Sequence, residues 1–127
     1  MRRFVLALAL VAPACSPHVE GELRLSTPVP TDTAVAHATL WEYDPFVADA
    51  SADPIATFEI ALQRGVQAVP FSLDPEDSDS GLSHYVTADV DLDDDGVDEV
   101  GDYVVTDFHK VELGAERVII PLTPRMP

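Results

Sequence analysis

The chain has 127 residues, of which 46% are hydrophobic and 7% aromatic, and its formal net charge at pH 7 is -16. This length suits one small domain with a single core. So strong a negative charge excludes nucleic acid and anionic lipid surfaces as partners held by long-range attraction, whereas cations and basic proteins remain compatible with it.

The N-terminus has the pattern of an export signal. Met1, Arg2 and Arg3 form a positive start, residues 4–11 are apolar, and Ala12-Pro13-Ala14 place small residues at a cleavage site. The apolar run is too short to span a bilayer as a permanent helix. The sequence therefore predicts a signal peptide over residues 1–14 and an exported protein.

The next residue, Cys15, is the only cysteine of the chain, so an internal disulfide cannot form. Its position directly after Ala14 resembles the lipobox of bacterial lipoproteins, although either type of signal peptidase could cut there. The short leader favours lipidation of Cys15 over a free secreted thiol, and acyl chains would anchor the protein to a membrane surface. Ser16 at the next position resembles an outer-membrane sorting signal in a cell with two membranes. We expect a lipidated cysteine and tether over residues 15–20 and one domain over residues 21–127.

Within that domain, apolar side chains alternate with polar or small ones at a period of two, which is typical of half-buried strands. Proline and glycine mark the turns, and Pro70 inside the fourth strand places that strand at a sheet edge. Residues 110–114 are interpreted as a connector. The predicted strands cover residues 20–25, 34–43, 55–62, 69–73, 84–90, 103–106 and 117–122. With no helical period after the leader, this predicts an all-β fold, a single small antiparallel β-sandwich of about seven strands of the immunoglobulin-like or transthyretin-like kind.

Trp41 and Tyr43 lie on one face of the second predicted strand. Because a tryptophan buries a large area, a core position inside a small sandwich is favoured for Trp41. The alternative is that Trp41 and Tyr43 form an exposed aromatic contact patch.

An acidic stretch over residues 91–102 has the spacing of a calcium loop. It carries carboxylates at loop positions one, three, five, nine and twelve and a glycine, Gly96, at position six. Calcium takes about six to eight oxygen ligands, and alternate spacing lets one tight loop aim several at a single point. We expect a structural calcium ion that pins this hairpin. The predicted ligands are Asp91, Asp93, Asp95, the Val97 carbonyl, Glu99 and Asp102.

Two other interpretations of this loop were weighed. An EF-hand has helices on both sides and an apolar residue at position eight, whereas this chain has predicted strands and Asp98. Residues 91–99 also resemble the D-x-D-x-D-G-x-x-D loops of VCBS and FG-GAP propeller repeats, but only one copy is present. The alternative to calcium is an acidic hairpin tip that is merely solvated, as runs of like charge usually are.

The sequence offers little sign of catalysis. His18, His37, His84 and His109 are not spaced for a transition-metal site, and there is no G-x-S-x-G elbow or glycine-rich phosphate loop. We therefore predict a protein that is not an enzyme and has no evident small-molecule substrate. The alternative is a small secreted enzyme or carbohydrate-binding domain that uses the loop from Asp44 to Asp53.

The order of several features resembles one family of envelope proteins. They are the lipoprotein-like leader, Gly21 in the first strand, and the segments Ala48-Asp49-Ala50, Val69-Pro70-Phe71-Ser72-Leu73, Tyr85-Val86-Thr87-Ala88, Gly101-Asp102-Tyr103 and Pro121-Leu122. From residue 19 to 124 the chain is similar to the YbaY/YscW-like lipoproteins. The resemblance implies a small β-sandwich without catalytic residues, tethered to the cell envelope. In some members it implies a pilotin role, in which the lipoprotein helps a secretin reach the outer membrane. The expected partners are the membrane, through the lipid anchor, and another envelope protein.

Overall fold

The computed structural model describes residues 18–47, 51–76, 81–94, 100–105 and 107–126. The predicted signal peptide, Cys15 and the first part of the tether lie outside these ranges. Across the described ranges no segment is helical, and none forms a helix able to cross a membrane.

The described chain forms eight β-strands, so the prediction of an all-β fold is confirmed. Each predicted strand is present, with ends that differ by a few residues. The strands are β1 (Val19–Leu25), β2 (Val35–Tyr43), β3 (Asp53–Ala61), β4 (Ala68–Leu73), β5 (Ser83–Asp91), β6 (Tyr103–Val105), β7 (His109–Val111) and β8 (Val118–Pro124).

The eight strands belong to one hydrogen-bonded sheet in the order β3-β2-β5-β6-β8-β1-β4, with β7 also paired to β5. The two end strands, β3 and β4, come close to each other, so the sheet curls into a nearly closed barrel. The predicted sandwich of two sheets is not found, and an immunoglobulin-like arrangement is not confirmed. The sheet is also not purely antiparallel, because β1 and β8 pair in parallel. The prediction that β4 lies at a sheet edge is confirmed.

The extra strand, β7, corrects the interpretation of residues 110–114 as a connector. It has three residues, of which Val111 alone is apolar and buried, so it is too short to show a period in the sequence. Both β6 and β7 lie along the same edge of β5, β6 beside Asp89 and Val90 and β7 beside residues 84–86. Phe108 therefore lies where this edge pairing is interrupted.

The core fills the inside of the barrel, mostly with alternate residues of the strands, whereas β3 contributes only partly buried side chains such as Ile55 and Phe58. In β4, Val69, Phe71 and Leu73 are buried and the residues between them are exposed, as predicted. In β2 the inward residues are small or unbranched at the β-carbon, namely Ala36, Ala38 and Leu40. Completely buried side chains include Leu23, Leu40, Leu73, Ile120 and Leu122. Each such side chain contributes on the order of 1.5 to 3 kcal/mol to stability by leaving water.

Candidate functional site

The base of the acidic loop holds two buried carboxylates. Asp91 ends β5 and Asp102 precedes β6, and they are 5% and 3% exposed. One oxygen of Asp102 accepts the Leu92 N–H at 3.0 Å, and Asp91 accepts the Asp93 N–H at 3.3 Å. The structure therefore brings the first and twelfth positions of the predicted calcium loop to one place, the neck of the β5–β6 hairpin.

The two carboxylates at this neck are oxygen donors, and each already accepts a backbone N–H. Buried carboxylates are costly unless a cation or hydrogen-bond donors compensate their charge, and oxygen ligands are those that calcium prefers. Asp93 is exposed on the loop. The other predicted ligands, Asp95, Val97 and Glu99, lie outside the described residues. The prediction of a structural calcium ion therefore stays a prediction.

A second cluster lies at the start of β1 and was missed in the sequence. His18, Glu20 and Glu116 each offer one ligand atom, and these atoms lie within 4.8 Å of one another. Hydrogen bonds from Gly114 N to His18 O and from Glu20 N to Ala115 O hold the loop before β8 against β1. Imidazole and carboxylates suit a transition metal, but two of the three residues are exposed and the third is half-buried. His18 Nε2 already lies 3.2 Å from a carboxylate oxygen of Glu20.

A buried pair of polar side chains lies at one end of the barrel. His84 Nε2 is 3.0 Å from Glu42 Oε2, and the His84 side chain is 4% exposed. His84 lines a cavity of about 600 Å³, which Pro45 and Phe46 of the loop after β2 also border. The contact with Glu42 compensates the burial of the imidazole. This is the part of the structure that borders the Asp44 to Asp53 loop of the alternative hypothesis.

Aromatic side chains gather on the outer face of the sheet. Trp41 of β2 lies opposite Tyr85 of β5 in the strand register, with ring planes 11° apart and ring centroids 6.1 Å apart. Tyr43 meets Tyr85 edge to face at a centroid distance of 5.5 Å. Phe108, at the interruption between β6 and β7, lies 5.0 Å from Tyr85 and 6.4 Å from Tyr43. We call these four residues the aromatic surface.

The core position predicted for Trp41 is therefore wrong: Trp41 and Tyr43 lie half-buried on the outer face, as in the alternative, and whether they form a contact patch stays a prediction. Because Ala36, Ala38 and Leu40 point into the barrel, the pleat turns Trp41 and Tyr43 outward. The Trp41 indole N–H donates to Thr87 Oγ1 at 2.8 Å. The sequence shows this alternation, but it does not show that Tyr85 and Phe108 complete the surface.

Beyond the aromatic surface the same face becomes polar. Thr39 of β2 lies between Thr57 of β3 and Thr87 of β5 in the register. One step further, His37 lies between two carboxylates: its Nε2 is 3.7 Å from a Glu59 oxygen and its Nδ1 is 3.4 Å from an Asp89 oxygen. The outer face thus runs from aromatic side chains through threonines to an acidic pair bridged by a histidine.

Comparisons with known proteins give one informative likeness. No family model matches the chain, and no curated protein matches its sequence. Among solved structures, the chain is similar to an alternative pilotin from the type II secretion system of Vibrio cholerae. The TM-score is 0.65 and the identity 21%, and the match covers 84% of this chain and 95% of that one. The resemblance to the YbaY/YscW-like family is not confirmed by these comparisons. At this identity the likeness establishes that the described chain shares its fold with a pilotin.

Proposed function

We propose that the protein is a non-enzymatic, lipid-anchored assembly module of the cell envelope that acts as a pilotin. The observation that carries this proposal is the fold, since the match to a pilotin from a type II secretion system covers 95% of that chain. The match also covers 84% of this chain, so it takes in most of the barrel.

The leader supports an envelope location. Arg2, Arg3 and the apolar residues that follow are typical of export, and Cys15 at the cleavage position is suited to lipidation. Lipidation would place the barrel at a membrane surface, with His18, the first described residue, only three positions beyond the anchor. The outer membrane is the expected surface in a cell that has two.

A structural calcium ion in the acidic loop completes the proposal. Its support is the spacing of the predicted ligands from Asp91 to Asp102 and the burial of those two carboxylates at the neck of the hairpin. Calcium can be abundant outside the cytosol, so an affinity of about 0.1 to 1 mM would suffice. The ion would stabilise the β5–β6 hairpin and would take no part in catalysis.

Deletion of the gene in the organism that encodes it tests the assembly role. Quantitative proteomics of inner- and outer-membrane fractions should show at least one other envelope protein that leaves its usual fraction in the deletion strain. Expression of the wild-type gene in the deletion strain should return that envelope protein to its usual fraction. A Cys15→Ser gene, expressed at an equal level, should not. If no envelope protein is relocated, the assembly function is wrong.

A further inference from the structure

We propose that the aromatic surface formed by Trp41, Tyr43, Tyr85 and Phe108 is the docking site for an apolar, basic segment of a partner protein. The inference gives the partner of the proposed assembly function a place and a chemistry, and it rests on that function for the existence of such a partner.

The sheet itself fixes the position of the rings. Three of them stand on adjacent positions of β2 and β5, where the antiparallel register puts Trp41 directly opposite Tyr85. The fourth, Phe108, comes from the break between β6 and β7 and rests against Tyr85. Because strands hold their side chains more rigidly than loops do, little ordering would be needed before a partner binds.

These rings remain partly in water although they pack on one another. Phe108 is 65% exposed, and Trp41, Tyr43 and Tyr85 are half-buried. Just beyond Tyr43, Phe46 is 91% exposed. Exposed apolar groups that cluster mark interaction sites on soluble domains, and tyrosine, tryptophan and phenylalanine are enriched in the centres of protein interfaces.

One basic residue, Lys110, lies opposite Tyr85 in the strand register and is exposed, but acidic residues near the aromatic surface outnumber it, and this excess of negative charge favours a basic partner. The carboxylates of Asp44 and Asp107 belong to the direct sequence neighbours of Tyr43 and Phe108, and Asp107 is exposed. Farther along the same face are Glu59 and Asp89. The chain as a whole carries a formal charge of -16. Arginine and lysine are attracted both to these carboxylates and to the faces of aromatic rings.

Two other occupants fit less well. A second copy of the chain would bring its own charge of -16 to the same place, which opposes association. A sugar needs open, flat ring faces. Trp41 and Tyr85 are nearly parallel, at 11°, but Tyr43 and Phe108 meet Tyr85 at ring angles of 61° and 40° and stand at 76° to each other, so they interrupt any flat platform. The surface is therefore an uneven apolar cluster, which suits side chains better than a sugar ring.

The site carries its own reporter, because Trp41 is the only tryptophan of the chain. The full chain, purified in a non-ionic detergent, is titrated with two synthetic peptides while Trp41 emission is recorded. Both peptides have the same leucine and phenylalanine positions. One has arginine at every polar position, and the other has glutamate. The arginine peptide should give a saturable change in emission that weakens as salt is added.

Matched variants locate the binding. Phe108→Ala removes the most exposed ring of the surface and should weaken binding of the arginine peptide at least tenfold. Val100→Ala removes an apolar side chain of similar exposure, 63%, at the opposite end of β5, and should leave the affinity within twofold of wild type. Circular dichroism of both variants checks that the sheet is intact.

Several outcomes would overturn the proposal. These are equal effects of the two variants, equal binding of the glutamate peptide, a response of Trp41 to chitin oligosaccharides but not to the arginine peptide, or dimerisation that Phe108→Ala abolishes. Failure here is distinct from failure of the assembly function. Suppose that deletion of the gene relocates an envelope protein and that a Phe108→Ala gene returns this protein fully to its usual fraction. The assembly function then stands, and this docking site is wrong.

Discussion

Gly21 of β1 lies directly opposite Val118 of β8, and the two parallel strands leave no room for a side chain between them. A β-carbon at position 21 would overlap the Val118 carbonyl oxygen and would lie 2.8 Å from the carbonyl carbon. The obstacle is backbone and not a flexible side chain, so the strands would have to separate. This pair joins the first and last strands of the chain and so holds the barrel together.

Gly21→Ala should therefore destabilise the protein markedly. Overpacking of this kind costs about 1 to 3 kcal/mol, and the upper end is expected because the neighbour is backbone. Urea unfolding followed by circular dichroism measures the change. Gly114→Ala is the control, since a β-carbon there meets nothing within 4 Å and the cost comes only from its positive φ of 88°. A smaller loss for Gly21→Ala than for Gly114→Ala would contradict the close approach of β1 and β8.

Tyr103→Phe should lower the free energy of unfolding by about 1 to 2 kcal/mol. The Tyr103 side chain is 2% exposed, and its hydroxyl is 2.9 Å from Thr27 O and 3.1 Å from Pro28 O. Without that hydroxyl, the carbonyl oxygens of Thr27 and Pro28 in the turn after β1 lose a hydrogen-bond donor. Tyr43→Phe, on the outer face, should cost less. Equal unfolding midpoints for the two variants would mean that the Tyr103 hydroxyl does not hold this turn.

Thr87→Val should alter the environment of the indole. It keeps the shape of the side chain but removes the oxygen that accepts the Trp41 N–H at 2.8 Å. We expect a shift in Trp41 emission and a loss of about 0.5 to 1.5 kcal/mol in stability. Thr39→Val, at the paired position of β2, is the matched control and should leave the emission maximum in place. Identical spectra for both variants would show that the indole lies elsewhere.

Calcium should raise the melting temperature of the full chain. A ligand present at ten times its dissociation constant adds about 1.4 kcal/mol to the stability of the folded state. The double variant Asp93→Ala/Asp95→Ala should lose this rise. Glu20→Ala/Glu116→Ala removes the same number of charges from the cluster at the start of β1 and should keep it. If millimolar calcium has no effect on the wild-type protein, the loop is a solvated acidic turn.

The alternation of side chains made most of the fold predictable. Period-two patterns located every strand longer than three residues, because in most of them one face is buried in the barrel and the other meets water. In β3 the inward side chains are only partly buried. The pattern could not show which strands are neighbours. The pairing of β1 with β8 joins residues about a hundred positions apart, and only Gly21 hints at it through the space that its missing side chain leaves.

The candidate sites were predictable in part. The acidic loop is visible because its predicted ligands lie close together in the chain, and Asp102 does accept a hydrogen bond from the N–H of Leu92, the neighbour of Asp91. The aromatic surface and the cluster of His18, Glu20 and Glu116 arise from residues distant in sequence, so spacing alone could not assemble them. For Trp41, the preference of large side chains for a core is outweighed by the alternation of β2. Because its small residues point into the barrel, Trp41 must point outward.

We propose that Cys15 holds this barrel at a membrane. The most direct measurement is the fractionation of cells that produce either the wild-type chain or Cys15→Ser, together with the intact mass of the purified wild-type protein. We expect a wild-type protein in the membrane fraction that begins at Cys15 and carries the mass of acyl chains, and a Cys15→Ser protein in the soluble fraction. An unacylated wild-type protein, or equal fractionation of the two, would contradict it.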